Sequence, residues 1–524
     1  MRTPLYDLLL AKKKPTGFCK LPLVAYPSIP NTDATNSILE GHLSIAGSTA
    51  PINENIWATE GPSQHWLIAA NGFAWLGDLL SEETPDAVEK ALRLIDQWID
   101  RHMKYSDLVW RSDIAGRRIV NWICWAPLLF QHAGPSFRDR FCEGLARQIQ
   151  HLKHVSAFDQ DGDKRIAALT GRLFGEVVFD GQPEVSKRLA TRLSIELERQ
   201  IMADGGHASR CPETHLTVLT DLVAMRAVLT AGQVAIPDCI SNAIDRLSPM
   251  VRFFRHPDGA FSQFNGGSES NPELIDHVMK LAASNGKPPT RAPHAGFERV
   301  TSGQFTLLLD TGAPPDTGMN KDSHAGTLSF ELSVGQERLI VNCGSRANLD
   351  DEWRWAGRAT AAHSTVSIGD ANSSALIKEG GVLPHPLTIE CDRGERDGNS
   401  WLSTSHTGYH SAFGLTHRRR LYIDATGLDL RGEDTIVGEG VHPFIARFHL
   451  HPDVSVSLLQ NGNTALLRTG SGTGWHFRVS GGVLEIADSV YLGGRTMARR
   501  SKQLVVPGIT SADATTLKWA LQRH

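Results

Sequence analysis

Two short polar stretches hold most of the residues that could do chemistry. In "DGGHASRCPETH", Asp204 to His215, an Asp-Gly-Gly turn runs into a helix whose apolar face starts at Leu216. His207, Arg210, Glu213 and His215 therefore gather at a helix start, where unpaired backbone N–H groups favour anions. Arginine supplies a fixed cationic fork and histidine a tunable donor, a pairing that suits a carboxylate-bearing sugar. The plain alternative is a hydrated turn with a solvated cap; on either reading Arg210 is expected to be exposed and to contribute little to folding. In "RRIVNW", Arg118 and Asn121 lie three apart and share a helix face. With Trp75 and Trp122 they form a candidate sugar-holding set, against the plainer alternative of a polar face beside core tryptophans.

The second stretch is "KDSHAGTLSFELSVGQERLIVNCG", Lys321 to Gly344. Leu328, Phe330, Leu332 and Val334 alternate with polar residues, which predicts a half-buried strand, and Gly335-Gln336 turns it into a hairpin. His324 stands at the mouth of that hairpin and Asn342 at its end. "RATAAHSTVSIGD" then places Arg358 and His363 ahead of a third strand. Two imidazoles with an oxygen donor could hold zinc, although their spacing has no ligand rhythm and hydrogen-bonded structural histidines are the plainer reading. "SHTGYHSAFG" adds His406, Tyr409 and His410 at a further turn.

Positioning these groups requires more than one core, because 524 residues exceed what one hydrophobic core organises. From about residue 60 to 285, runs such as "DAVEKALRLIDQWIDRHM" and "THLTVLTDLVAMRAVL" repeat their apolar residues at helical spacing. "GKPPTRAPHAGF", residues 286–297, breaks every period. Beyond it come short alternating segments, among them "QFTLLLD", "RRLYID" and "HFRVSGGVLEIAD", the pattern of an antiparallel sandwich. The expected domains are an extension over 1–59, a helical domain over 60–290 and a β-sandwich over 291–524.

A net charge of −4 gives no sign of a nucleic-acid binder. Seven scattered cysteines without a CxxC pair argue against a disulfide framework or a thiolate zinc site. No run reaches the ~18 apolar residues of a membrane span. The opening "MRTPLYDLLLAKKKPTGFC" reverses the order of a signal peptide, so a cytoplasmic location is expected, with a periplasmic or envelope-associated one left open. Oligomeric state has no signal in the sequence.

Taken together, "NGFAWLGDL", "RRIVNW", "DGGHASRCPETH", "HAGTLSFELSVGQERLIVNCG", "RATAAHSTV" and "SHTGYH" resemble the bacterial heparinase II/III-like family, as a divergent member. The resemblance implies an N-terminal (α/α) toroid, a C-terminal antiparallel β-sandwich and a cleft between them. It also implies a lyase that cleaves an acidic, uronate-containing polysaccharide or oligosaccharide by β-elimination. That reaction needs a group to neutralise the carboxylate, a base for the C5 proton and an acid for the leaving O4. By the resemblance His207, Arg210 and His215 neutralise and orient, while Asp322 or His324 moves protons with Tyr409. Trp75, Arg118, Asn121, Trp122, Arg358 and His406 hold the glycan. Zinc would sit at His324, Asn342 and His363, weakly or not at all. Three positions depart from the family pattern: Asp322 stands where a catalytic histidine is usual, Asn342 where an aspartate ligand is usual, and Thr214 where a tyrosine is usual. The rival expectations are a glycoside hydrolase using two of Asp204, Glu213 and Asp322, and a non-catalytic glycan-binding or envelope-assembly protein.

Overall fold

The computed structural model describes residues 6–7, 10, 24–54, 56–58, 61–155, 159–179, 185–316, 318–346, 350–383, 387–460, 462–494 and 497–524. Most of the opening segment read for targeting, Cys19 included, lies outside these residues. Two compact units result: one comprises residues 1–200, 217–245 and 276–284, the other 201–216, 246–275 and 285–524. "DGGHASRCPETH" thus belongs to the same unit as the strands.

The first unit is helical and includes, after the helix Thr32–Leu39, a short hairpin that periodicity does not reveal, His42–Ile45 paired with Ser48–Pro51. Ala46 and Gly47 both adopt positive φ in its turn, as a two-residue hairpin loop requires. The helix Pro85–His102 shows why its sequence folds as it does. Thr84 caps it, Pro85 occupies the first turn, Arg101 and His102 close the C-terminus, and Val88, Ala91, Ile95, Trp98 and Ile99 are buried along one stripe. Ser112–His132 crosses Asp163–Phe179 at a pair of glycines, where a Cβ on Gly171 would stand 2.5 Å from the Gly116 Cα. Only glycine permits so close a backbone approach. Phe73 is the hub of the aromatic core, with ring centroids 5.2 Å from Trp57, 5.1 Å from Trp75 and 5.5 Å from Trp122.

In the second unit the strands form two antiparallel sheets. One runs in the order Ser455–Leu458, Thr464–Arg468, Gly474–Ser480, Ala514–Arg523, Asp429–Val437, Thr416–Ile423, Asn399–His406, Ile389–Arg396. The other runs Glu485–Tyr491, Arg499–Ile509, Pro443–Leu450, Glu337–Val341, Phe330–Val334, Phe305–Asp310, Phe297–Ser302, Arg291–Ala292, with Val366–Ile368 also paired to Pro443–Leu450. Trp519 of the first sheet stacks on Phe330 of the second at 5.6 Å, in the apolar layer between them. "HFRVSGGVLEIAD" is two strands in different sheets, parted at Gly481-Gly482.

The strand Phe330–Val334 corrects the half-buried expectation. It is buried on both faces, and its polar residues Glu331 and Ser333 meet other protein groups instead of solvent.

Candidate functional site

Local folding of residues 204–215 is set by polar anchoring. The Asp204 carboxylate accepts the backbone N–H groups of Gly206, His294 and Ala295 at 3.0, 2.8 and 2.8 Å. Glu213 accepts both the N–H and the hydroxyl of Ser268, at 3.0 and 2.8 Å. Arg210 overturns the expectation of an exposed cap, since it is only 5% exposed. Its guanidinium donates to the carbonyls of Ala295 (2.7 Å), Gly296 (3.1 Å), Gly312 (3.2 Å) and Ala313 (2.9 Å) and to the Asp310 carboxylate. It also lies over the Phe297 ring, 4.7 Å from the centroid. A buried arginine must satisfy its donors, and here the fold itself takes them.

His207 and His215 are buried as well, and burial depresses their pKa values to about 3 and about 4. Both are therefore neutral imidazoles at pH 7 and cannot neutralise a carboxylate by charge. His207 Nδ1 accepts from the Ser209 backbone N–H at 3.1 Å. His215 Nε2 donates to the Leu247 carbonyl at 2.9 Å.

The hairpin residues do meet. His363 Nδ1 donates to the Ala359 carbonyl at 2.8 Å, which leaves its Nε2 as acceptor for His324 Nδ1–H at 3.0 Å. Gly326 makes room for this pair, because a Cβ there would stand 2.7 Å from the His363 ring. Burial holds His363 down at about 4 and also holds His324 well below the usual histidine range.

Asn342 is spent otherwise. Its Oδ1 accepts the Ser364 N–H at 3.0 Å and its Nδ2 donates to the Gln263 carbonyl at 3.2 Å. An aspartate could not make the second bond. The donor set is thus two imidazoles facing each other and an amide already engaged on both atoms. Among the described residues no cluster of three His, Cys, Asp or Glu side chains is arranged for a metal. These residues do not fit a zinc site of the usual four ligands.

Behind Asn342 lies a polar cluster that sequence reading missed. Glu331 accepts the N–H groups of Asn342 (3.0 Å) and Gln263 (3.2 Å) and faces His256 Nε2 at 3.1 Å. Burial pushes its pKa up to about 7, and with it lowers that of His256.

Among the named residues Asp322 is well exposed, its side chain at 64% and held 3.2 Å from Arg354, and His410 is exposed at the start of the short helix His410–Phe413. Arg354 belongs to the helix Asp351–Arg358, whose Trp353 and Trp355 are 45% and 37% exposed. The signal was available in "DEWRW": tryptophans two apart on a helix point to nearly opposite sides, so one core cannot cover both. Arg358 from the same helix is buried and donates to the carbonyls of Ser323 (2.9 Å), Ile377 (2.8 Å) and Gly381 (2.5 Å). It serves as a clamp that ties these three carbonyls together.

Tyr409, His406, Trp75, Trp122, Arg118 and Asn121 are also interior. Tyr409 is fully buried and donates to the Val366 carbonyl at 2.7 Å, with its phenol pKa raised by burial. His406 meets His417 at 3.2 Å, and His417 bonds Asp434 at 2.9 Å. In the helical unit Trp75 donates to the Ala70 carbonyl and Trp122 stacks on Phe141 at 5.0 Å. Arg118 donates to Gln148 and to the carbonyls of Asn71 and Val109, and Asn121 to those of Gly72 and Arg117. These four are core, which corrects their reading as an accessible sugar-holding set.

This sandwich, with helices ahead of it and the polar hairpin described above, defines a class. Residues 284–520 match the family model "Heparinase II/III-like, C-terminal". Over 99% of this chain and 92% of that protein, it is 29% identical to "FtsZ-localized protein C" of Caulobacter vibrioides. Heparinase III superposes with a TM-score of 0.74 at 12% identity, over 99% of this chain and 88% of that one. Heparan sulfate lyase HepC from Pedobacter heparinus gives 0.62 at 14%, over 99% and 87%. At such identities the two structures establish a shared fold. Among the described residues no helix is long and apolar enough to cross a membrane.

Proposed function

We propose that this protein is a heparinase-fold protein without β-elimination activity, stationed with FtsZ at the cell envelope as a binding or assembly component. The observation that carries this reading is Arg210: the strongest candidate for neutralising a uronate is buried and bonded to four carbonyls and Asp310. His207 and His215 beside it are neutral, and Tyr409 is sealed in the sandwich core. The likeness to FtsZ-localized protein C along nearly the whole chain supports such a location.

A lyase acting on an acidic glycan is the second reading. It is favoured by the heparinase fold and by Asp322, an accessible acid at the hairpin mouth. A fluorescent fusion, imaged with and without FtsZ depletion, tests the first reading. FtsZ-dependent rings are expected, kept when Asp322→Asn is introduced. A diffuse signal that ignores FtsZ, or release of unsaturated uronate products from a glycan, overturns it.

A further inference from the structure

We infer that the solvent face of the sheet containing Trp401 is a binding groove for an acidic oligosaccharide. Register places Trp401, Tyr422, Arg431, Ala520 and Arg478 in one row across five neighbouring strands. Ser403, Arg420, Glu433, Lys518 and Ser480 form the next row on the same face. At the spacing of paired strands each row is roughly 19 Å long, enough for a short oligosaccharide. Between these side chains lies a groove of about 580 Å³, within the usual size range of ligand sites.

Its chemistry is selective. Trp401 is 42% exposed, and its ring lies flat on the sheet where Gly394 of the paired edge strand has no side chain; a Cβ there would stand 2.5 Å from Trp401 Cζ2. The free ring face is a stacking platform for the C–H face of a sugar. Arg420, Arg431, Arg478 and Lys518 line the same groove, with Glu433 as the one acid in its lining, on a chain whose net charge is −4. Glu433 lies 3.6 Å from both Arg420 and Lys518, Arg431 is held 2.6 Å from Asp429, and no described carboxylate pairs with Arg478. The local excess of positive charge is complementary to carboxylates or sulfates, and arginine forks grip such groups in two-point contacts. An acidic peptide is the weaker fit, because the groove crosses the sheet interior where backbone groups are already paired and a peptide cannot add as a strand.

The inference stands apart from the loss of elimination proposed above, since it uses none of the same residues. Its test is calorimetric titration of the full chain with a heparin hexasaccharide and an oligogalacturonate. Dextran serves as the neutral control and polyglutamate as the peptide control. Binding of at least one acidic oligosaccharide, and none of dextran, is expected. Trp401→Ala should weaken it by about tenfold or more, the usual consequence of losing an aromatic anchor. Arg478→Ala, at an exposed position that leaves packing intact, should weaken it and flatten its salt dependence. Failure of both acidic oligosaccharides to bind, binding indifferent to both substitutions, or polyglutamate binding with the same Trp401 dependence would overturn the inference.

Discussion

Replacing Arg210 by alanine separates a structural arginine from a catalytic one. The side chain is buried and donates to four carbonyls and one carboxylate, all on the segment Ala295–Ala313. Removing one partner of a buried ion pair costs about 3–5 kcal/mol, and each orphaned carbonyl that water cannot reach adds about 1–3 kcal/mol. Against a typical total of roughly 5–15 kcal/mol this is a large fraction. Burial already raises the Asp310 pKa despite the arginine beside it. In the variant Asp310 would take up a proton more readily, so the loss should grow with pH. Urea unfolding followed by near-ultraviolet dichroism is the assay. The expected result is a fall of at least about 3 kcal/mol, no rescue by Arg210→Lys, and partial recovery when Asp310→Asn removes the stranded charge. An Arg210→Ala variant within about 0.5 kcal/mol of the parent, the range of an ordinary surface change, would refute the reasoning.

Asn342→Asp should destabilise the sandwich by about 2–4 kcal/mol, because it strands the Gln263 carbonyl and buries a second carboxylate near Glu331; added zinc should not restore the melting temperature. Gly326→Ala, pressed against the His363 ring, should cost about 1–3 kcal/mol by the same measurement. Acidification gives a further check. Burial holds His207 and His449 at about 3 and His215 and His363 at about 4, so the unfolded chain binds protons near pH 6.5 that the native state refuses. Stability is therefore present above pH 6.5 and lost as pH falls, by about 1.4 kcal/mol per unit for each histidine. Glu331, raised from 4.5 to about 7, works in the opposite sense across that interval and offsets one of the four. Urea midpoints measured from pH 7.5 to 4.5 should fall steeply below 6.5; a flat profile would contradict the buried neutral histidines.

The succession of helices and then strands was legible because hydrophobic period is local. "DAVEKALRLIDQWIDRHM" and "QFTLLLD" carry their own structure in their spacing. The candidate site was far less legible, because what a polar side chain does depends on partners remote in sequence. Arg210 reads as a solvent-facing fork until Asp310, a hundred residues on, closes over it. The alternation in "SFELS" reads as one wet face, yet Glu331 and Ser333 are matched by His256, more than seventy residues earlier. Trp75 and Trp122 were ambiguous between core and platform, and packing chose core. Trp401 and Trp353 drew no attention, since exposure of an aromatic residue is decided by which neighbours fail to cover it.

The central claim, a heparinase fold without elimination chemistry, is tested most directly by one assay. Purified protein at high concentration is incubated with heparan sulfate, hyaluronan, alginate and polygalacturonate, with heparinase III as positive control. The ultraviolet absorbance of unsaturated uronate ends is followed. No rise above the buffer rate on any glycan is expected. A steady rise that disappears in Asp322→Asn but persists in a folded control variant would contradict the account and establish a lyase.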